Sequence, residues 1–254
     1  MSYYKIYFSP TGGTKKTIDI ISERWGESFS ELDLTEPNHD FSKEAFKEND
    51  ICLIAVPSFG GRVPSTAAER LAKLKGNGAK AVLICVYGNR EYEDTLLEMK
   101  DILTNSGFLA VAAIASIAEH SIMHCYAAGR PNAEDVTLLN SFTDKIKASF
   151  TEASNIEPVK VPGNHPYREF GGVPLKPTAN RKCNQCGLCA KKCPVQAIDI
   201  TNVKTCDAEK CLSCMQCISV CPTHARKINP FLVFVLSKKM KKAFSEYKTP
   251  ELFL

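Results

Sequence analysis

The chain lacks any hydrophobic run that approaches the roughly 20 residues of a membrane-spanning helix, so we expect no transmembrane segment. Its first residues, MSYYKIYFSP, show no basic segment followed by an apolar run and a cleavage site, so no secretory leader is expected. Neither sign of charge dominates, with 32 Lys and Arg against 28 Asp and Glu, and no basic stripe is interleaved with aromatic residues. These absences predict a soluble, cytoplasmic protein that does not bind nucleic acid.

Cysteine is scarce in the first 182 residues, which contain only Cys52, Cys85 and Cys125. Cys52 and Cys85 fall inside apolar stretches, where cysteine is usually a small buried hydrophobe. By contrast, nine of the 12 cysteines lie between 183 and 221, and eight of these form two copies of C-x-x-C-x-x-C-x-x-x-C-P that are 28 residues apart. A reducing compartment argues against a disulfide framework, so this spacing indicates ligands of a metal centre.

The repeated spacing indicates two cubane clusters. A loop with a thiolate every third residue can hold three corners of a [4Fe-4S] cluster, and in this spacing the fourth cysteine of each copy serves the other cluster. The predicted ligands of the first centre are Cys183, Cys186, Cys189 and Cys221. Those of the second centre are Cys211, Cys214, Cys217 and Cys193. Zinc is the alternative, but a zinc ribbon needs four ligands in pairs of C-x-x-C and has no use for a third cysteine at the same interval.

The repeat extends beyond the ligands, because CPVQA and CPTHA are also 28 residues apart. The segment resembles the two-cluster bacterial ferredoxins, which implies a small α+β domain with pseudo-twofold symmetry. So short a stretch has little apolar core, and we expect the ligands to supply most of its folding energy. Residues 181–230 carry eight Lys or Arg against three Asp or Glu. Free ferredoxins usually have acidic surfaces, so this balance favours a module that faces its own covalently attached neighbour.

The leading segment alternates predicted strands and helices. Apolar strands are predicted at the amino terminus and at 51–57, 79–88 and 108–119, with a weaker one near residue 30. Helical patterns follow the first strand and recur near 65–75, 91–105 and 132–149. Near-continuous apolar strands between helices predict an α/β fold, in which a buried parallel sheet has helices on both faces. Ligands of such sheets bind outside the carboxyl ends of the strands.

Three loops at those carboxyl ends are rich in small and polar residues: SPTGGT, VPSFGGRVP and VYGNREYED. The first lacks the endings of nucleotide triphosphate and dinucleotide loops, and a monophosphate at the helix amino terminus fits it better. Together the loops resemble the FMN loops of the flavodoxin family over about residues 1–155. The resemblance implies a doubly wound, five-stranded parallel sheet of order 2-1-3-4-5 that binds FMN.

The resemblance also implies which residues hold the FMN. Its phosphate would bind Ser9, Thr11, Gly12, Gly13 and Thr14. Its ring would lie between two groups, one of Pro57, Ser58, Phe59, Gly60 and Gly61 and the other of Tyr87, Gly88, Asn89 and Tyr92. Phe59 and Tyr92 are the expected stacking partners, since a flat heteroaromatic ring packs well against an aromatic side chain.

A polar connection follows the fifth strand and should lie near the flavin. Glu119, His120 and Arg130 are its catalytic candidates, because they could line a substrate pocket or supply a proton. The ordinary alternative is that these residues fill the joint between domains through hydrogen bonds. A zinc site formed by His120, His124 and Cys125 is a further alternative.

The length of 254 residues predicts one sizeable core and a smaller second unit. We divide the chain into an FMN domain at 1–155, a linker at 156–180, a ferredoxin domain at 181–230 and a helical tail at 231–254. Residues 157–177 contain five prolines and three glycines and are expected to run extended across the first domain. The tail is expected to pack against its own protein, with contact to a membrane surface as the alternative.

The combination resembles the flavodoxin-ferredoxin fusions of anaerobic bacteria. It predicts electron transfer between two [4Fe-4S] clusters and FMN in one chain, with conversion between one- and two-electron flow and with redox proteins as partners. An FMN-dependent reductase of a small molecule, which its own ferredoxin domain supplies with electrons, is the alternative function. A redox sensor is a third.

Overall fold

The computed structural model describes residues 1–152 and 157–254. The predicted boundary between the first domain and the linker, at residues 155 and 156, therefore lies outside the described residues. The first part of the chain alternates strands and helices. Its strands are β1 (Tyr3–Tyr7), β2 (Phe29–Asp33), β3 (Ile51–Pro57), β4 (Lys80–Tyr87) and β5 (Leu109–Ile117). Its helices are α1 (Gly13–Trp25), α2 (Ser65–Leu71), α3 (Thr95–Asn105) and α4 (Ala133–Glu152).

The sheet has the predicted order. β2, β1, β3, β4 and β5 are neighbours in that sequence and all run parallel, which confirms the order 2-1-3-4-5 of a flavodoxin-like fold. The strands of the sheet centre read as near-continuous apolar runs because both of their faces are covered. Ile54 and Leu83 point to one face and Leu53 and Ile84 to the other, and all four are fully buried.

A sixth strand at the edge of the sheet differs from the prediction. The chain ends in β8 (Glu251–Phe253), which pairs antiparallel with the middle of β5. The predicted helical tail is therefore helical only in its first part, where a helix spans Pro230–Phe244. β5 is apolar and would otherwise leave a row of unpaired backbone groups at an open edge, which sheets commonly cover. Within the described ranges no helix has the length and apolarity to cross a bilayer.

The cysteine-rich segment forms a second, small unit. It contains β6 (Thr178–Ala179), α5 (Leu188–Lys191), α6 (Gln216–Ser219) and β7 (Arg226–Lys227), and the tail helix that follows is α7 (Pro230–Phe244). β6 and β7 pair antiparallel. α5 and α6 begin at equivalent points of the repeat, after Gly187 and Met215, whose φ angles are 74° and 65°. The apolar core of this unit is limited to short side chains and cysteines, as its length predicts.

The linker and the tail both lie against the flavodoxin-like domain. Residues 157–177 form no helix or strand. Asp94 accepts hydrogen bonds from the backbone N–H groups of Asn164 (2.8 Å) and Arg168 (2.7 Å), which fixes the linker beside the start of α3. Asn89 donates from its side-chain amide to the carbonyl oxygens of Phe244 (2.7 Å) and Glu246 (2.8 Å), which fixes the end of α7.

Direct contacts attach the cluster unit to the residues that follow β2. The buried Arg70 side chain donates to the carbonyl oxygen of Leu34 and, at 2.6 Å, to that of Pro194 in the first cysteine repeat. Lys192 forms an ion pair of 2.5 Å with Glu36. Leu212 packs against the apolar core of the flavodoxin-like domain. The two units are therefore joined by a packed interface as well as by the linker.

Candidate functional site

The loop between β1 and α1 has the features of an anion site. Gly12 is the N-cap residue of α1 and has a φ of 92°, a left-handed conformation that favours glycine, and no acidic residue lies in the first turn of the helix. The free N–H groups and the dipole of a helix amino terminus attract a negative group. In the described part of the chain, the hydroxyls of Thr11 and Thr14 form no hydrogen bond to protein, so they are free to donate to a ligand. Ser9 accepts a hydrogen bond from the N–H of Lys15 at 2.8 Å instead.

A cleft at the carboxyl edge of the sheet joins this loop to the other two. It encloses about 740 Å³, a volume that includes the open space at its mouth. Nine residues that the flavodoxin resemblance implied as FMN ligands line it: Thr11, Gly13, Thr14, Pro57, Ser58, Phe59, Gly60, Tyr87 and Gly88. The described residues therefore place all three predicted loops around one cleft.

Five of the predicted FMN residues do not line the cleft: Ser9, Gly12, Gly61, Asn89 and Tyr92. Tyr92 donates its hydroxyl to Glu251 of β8 at 3.1 Å and packs against the ring of Tyr87, 5.2 Å away between centroids. Asn89 holds the tail, as described above. Gly61 lies under the side chains of Glu93 and Arg168, where a Cβ would collide with both. Phe59 is thus the one predicted stacking residue that the structure places at the cleft.

The connection after β5 forms another wall, which includes the candidates Glu119 and His120. The Nδ1 atom of His120 accepts hydrogen bonds from the backbone N–H groups of Ile122 and Met123, both at 3.1 Å. Burial, with the nearby His124, lowers the pKa of His120 to about 4. The ring is therefore neutral at physiological pH and carries its proton on Nε2. Gly88 permits this placement, since a Cβ there would lie 2.7 Å from the His120 ring.

Glu119 remains a carboxylate. It accepts hydrogen bonds from the N–H of Gly129 at 3.0 Å and from His124 at 2.7 Å, and these two bonds lower its pKa. His124 is thereby paired with Glu119 through Nδ1, and His120 uses its own Nδ1 for backbone bonds. In residues 1–152 and 157–254, no three His, Cys, Asp or Glu side chains are arranged to hold a single metal ion.

Arg130 was predicted as a catalytic candidate, and the structure gives it a different place. It is buried away from the cleft, where its guanidinium forms a two-pronged ion pair with Asp135. The same group donates to the carbonyl oxygen of Lys248 at 2.9 Å and lies 4.6 Å from the Tyr247 ring centroid. Arg130 therefore fixes the tail to the start of α4. A sequence pattern alone does not reveal the contact between Arg130 and Lys248, because the two residues are 118 positions apart.

We predict that Arg130→Met lowers the free energy of unfolding of the flavodoxin-like domain by about 3–5 kcal/mol, because it leaves the Asp135 carboxylate buried without a partner. Bound flavin per folded chain should not change. Denaturant unfolding and flavin content of the same preparation measure both quantities. Arg24→Met is the matched control, since its ion pair with Asp144 is exposed and its loss should leave stability nearly unchanged. Loss of flavin from fully folded Arg130→Met would instead support the catalytic assignment.

The four thiols assigned to the second centre line one cavity. Cys193, from the first repeat, lies with Cys211, Cys214 and Cys217, from the second, and the remaining wall is almost wholly apolar. Cys206, to which the sequence assigned no role, lines the same cavity. Backbone N–H groups that point at thiolates stabilise clusters. The N–H of Ser213 lies 3.4 Å from the Cys211 sulfur.

The two repeats present their fourth cysteines in the same way. The N–H of Ala197 lies 3.3 Å from the Cys193 sulfur, and the N–H of Ala225, 28 residues later, lies 3.3 Å from the Cys221 sulfur. Among the ligands assigned to the first centre, Cys189 is buried and Cys186 is exposed. The donor chemistry and the repeated amide contacts fit iron-sulfur clusters, and the exposed thiol belongs to the set assigned to the first centre.

The cluster unit also contributes directly to the cleft. Ser213 and Cys214 line the cleft together with Val173 of the linker. Ser213 donates its hydroxyl to the Val173 carbonyl oxygen at 2.9 Å, and Lys176 donates to the Cys211 carbonyl oxygen at 2.6 Å. These bonds hold a predicted cluster ligand against the predicted flavin site. The sequence does not predict the contact of Ser213 and Cys214 with the cleft, because the residues around them, LSCMQ, carry no signal of their partner in the other domain.

The strand order, the cleft and the cysteine repeats define the class of the protein. The chain joins a flavodoxin-like domain to a 4Fe-4S dicluster domain, as a flavodoxin-ferredoxin fusion does. Residues 182–225 match the family model described as 4Fe-4S dicluster domain. No curated protein matches the chain.

Several solved structures are similar to the flavodoxin-like part. A flavodoxin of Streptococcus pneumoniae TIGR4 is 18% identical, with a TM-score of 0.43, and the match covers 59% of this chain and 99% of that one. Oxidised flavodoxin 1 of Bacillus cereus is 15% identical, with a TM-score of 0.42 and coverage of 61% and 100%. An azoreductase of Bacillus anthracis str. Sterne is 12% identical, with a TM-score of 0.43 and coverage of 59% and 100%. Similarities of this size carry no argument about ligand or reaction, and the fold assignment depends on the strand order itself.

Proposed function

We propose that the protein transfers electrons between two [4Fe-4S] clusters and FMN within one chain. One observation carries the proposal: Cys214, an assigned ligand of the second centre, lines the same cleft as the phosphate loop and Phe59. When bound, the clusters pass single electrons and the flavin accepts one or two, so the combination converts between the two kinds of flow. External donors and acceptors are redox proteins in this proposal.

The residues of the chain have distinct tasks in this function. The α1 amino terminus with Thr11 and Thr14 binds the phosphate, which anchors the cofactor. Phe59 and Tyr87 offer aromatic surface on opposite loops of the cleft. The linker and the Arg70 contacts keep the cluster unit fixed beside the cleft. Electron transfer between the two therefore does not have to wait for a diffusional encounter. The exposed Cys186 marks the side on which a partner protein exchanges electrons with the first centre.

Analysis of anaerobically purified protein tests the composition that this function needs. We expect about eight iron and eight acid-labile sulfide atoms per chain, which corresponds to two [4Fe-4S] clusters, together with one flavin. Mass spectrometry of the flavin released by acid should show FMN and not FAD. Stoichiometric zinc without sulfide, or the absence of flavin from protein that has been supplied with FMN, would contradict the proposal.

A second function is favoured by one specific observation, the presence of Glu119 and His120 in the wall of the cleft. In this alternative the protein is an FMN-dependent reductase of a small molecule. His120 would then act as a neutral hydrogen-bond donor through Nε2, and its low pKa predicts no change in its charge between pH 6 and pH 9. Turnover by reduced protein across quinones, nitro compounds and enones tests this function. Turnover that falls strongly in His120→Phe would support it, and no turnover with any class would exclude it for those substrates.

A further inference from the structure

A fully buried arginine lies at the centre of the cluster unit. Arg226 begins β7 and is only 1% exposed. Its guanidinium donates to the carbonyl oxygens of Val203 (2.5 Å) and Pro177 (2.8 Å), while its Nε atom has no hydrogen-bond partner. No carboxylate in the described parts of the chain forms an ion pair with it. Burying a cation without a counter-charge is strongly unfavourable, so this position needs a negative group that carboxylates do not supply.

The nearest candidates for that negative group are cysteine sulfurs. Nη1 of Arg226 lies 3.9 Å from the Cys189 sulfur, and the side chain also contacts the Cys217 thiol. Cys189 is assigned to the first centre and Cys217 to the second. Thiolates that ligate a cluster carry the negative charge that the guanidinium lacks, and N–H groups that point at such sulfurs are known to tune cluster potentials.

The first copy of the cysteine repeat has no arginine at the position equivalent to Arg226. The residue 28 positions earlier is Ile198, which is also buried and which lines the cavity of the second centre. By the symmetry of the repeat, Arg226 occupies the corresponding place beside the first centre, in agreement with its contact to Cys189. Equivalent positions of the two repeats therefore hold isoleucine beside the second centre and arginine beside the first. The hydrogen bond of Arg226 to a cysteine is to Cys189 of the first centre, and its charge also acts, less directly, on Cys217 of the second.

We infer that Arg226 raises the reduction potential of the centre held by Cys183, Cys186, Cys189 and Cys221 above that of the centre beside the cleft. The inference rests on the proposed function, since it requires both clusters. Adding one electron makes a cluster more negative, and a cation nearby stabilises the reduced form more than the oxidised form. An electron taken up from a partner protein then rests on the first centre, and the second centre holds it only briefly before the flavin site.

The test compares Arg226→Ile, which makes the two repeats alike, with the wild type. Lys227→Ile is the matched control, because it removes the same charge one residue later at an exposed position. Anaerobic redox titration followed by EPR should show two reduction steps in the wild type. In Arg226→Ile the midpoint potential of the upper step should fall by at least about 59 mV, which is a tenfold change in the equilibrium constant of a one-electron reduction. Lys227→Ile should change neither step by more than about twofold, because solvent screens an exposed charge.

Equal potentials in a fully loaded wild type, or an unchanged upper step in loaded Arg226→Ile, would overturn the inference. Should Arg226→Ile retain less iron than the wild type, Arg226→Lys provides the second test. It keeps the charge and should keep two separate reduction steps, and loaded Arg226→Lys with a single step would likewise overturn the inference. Iron and sulfide content distinguishes a failure of this inference from a failure of the proposed function. A wild type that binds no cluster contradicts the proposed function, whereas unchanged potentials in fully loaded protein contradict the role of Arg226.

Discussion

Replacing Cys193 and Cys214 together with alanine should leave about four iron atoms per chain, one cluster, whereas replacing Cys221 and Cys214 together should leave none. The reason is the crossed assignment of ligands. Cys193 and Cys214 line one cavity although they belong to different repeats, so their loss removes one centre only. Cys221 and Cys214 belong to the same repeat but to different centres, so their loss damages both. Iron and sulfide analysis after anaerobic reconstitution measures the result.

Cys125→Ala is the control for this pair of variants, because Cys125 is an exposed cysteine outside both repeats and should leave iron content unchanged. The opposite pattern would contradict the crossed assignment: no iron in the Cys193 and Cys214 variant, together with one intact cluster in the Cys221 and Cys214 variant. Cys206 lines the same cavity as the second set, so Cys206→Ala should be combined with each pair to show that Cys206 does not replace a lost ligand.

Replacing Thr11 and Thr14 with glutamate should weaken FMN binding by at least about 100-fold, or about 2.7 kcal/mol. The new carboxylates would occupy the helix amino terminus where the phosphate binds, and two negative charges would repel it. A negative charge near a helix amino terminus stabilises the helix, but Thr14 is buried, so circular dichroism must first show that the double variant is folded. Flavin retained after gel filtration and fluorescence titration with FMN measure the effect, and iron content should stay at the wild-type value.

Thr11→Glu alone tests the effect of the added charge without disturbing the packing, because Thr11 is exposed while Thr14 is buried. It should weaken FMN binding in the same direction. Thr137→Glu adds the same charge at an exposed position in the second turn of α4 and should leave FMN affinity unchanged. A double variant that binds FMN as tightly as the wild type would show that the phosphate binds elsewhere.

The features that short-range pattern determines could be predicted from the sequence. Apolar runs such as ICLIAVP predict the buried strands, and glycines with small polar residues after those strands predict the loops that surround the cleft. The cysteine spacing predicted a crossed ligand set, and the structure places Cys193 in one cavity with the three cysteines of the second repeat. Each of these inferences depends on residues that lie a few positions apart, or on an exact internal repeat.

The features that depend on contacts between distant parts of the chain were missed. β8 pairs with β5 from more than 130 residues away, and its Glu251 draws the Tyr92 hydroxyl away from the cleft. Arg130 donates to the carbonyl oxygen of Lys248, which lies 118 residues later in the chain. The position of Cys214 at the cleft arises from the docking of two domains, and it cannot be predicted from the pattern of either domain alone.

The docking of those two domains is central to the account, and the rate of internal electron transfer tests it most directly. Protein that carries oxidised clusters and flavin is mixed anaerobically with less than one equivalent of reductant, and cluster and flavin absorbance are followed by stopped flow. We expect electrons to reach the flavin in a first-order phase whose rate constant does not change over a tenfold range of protein concentration. A rate that rises in proportion to protein concentration would show that electrons pass between molecules, and it would contradict a conducting path through Cys214.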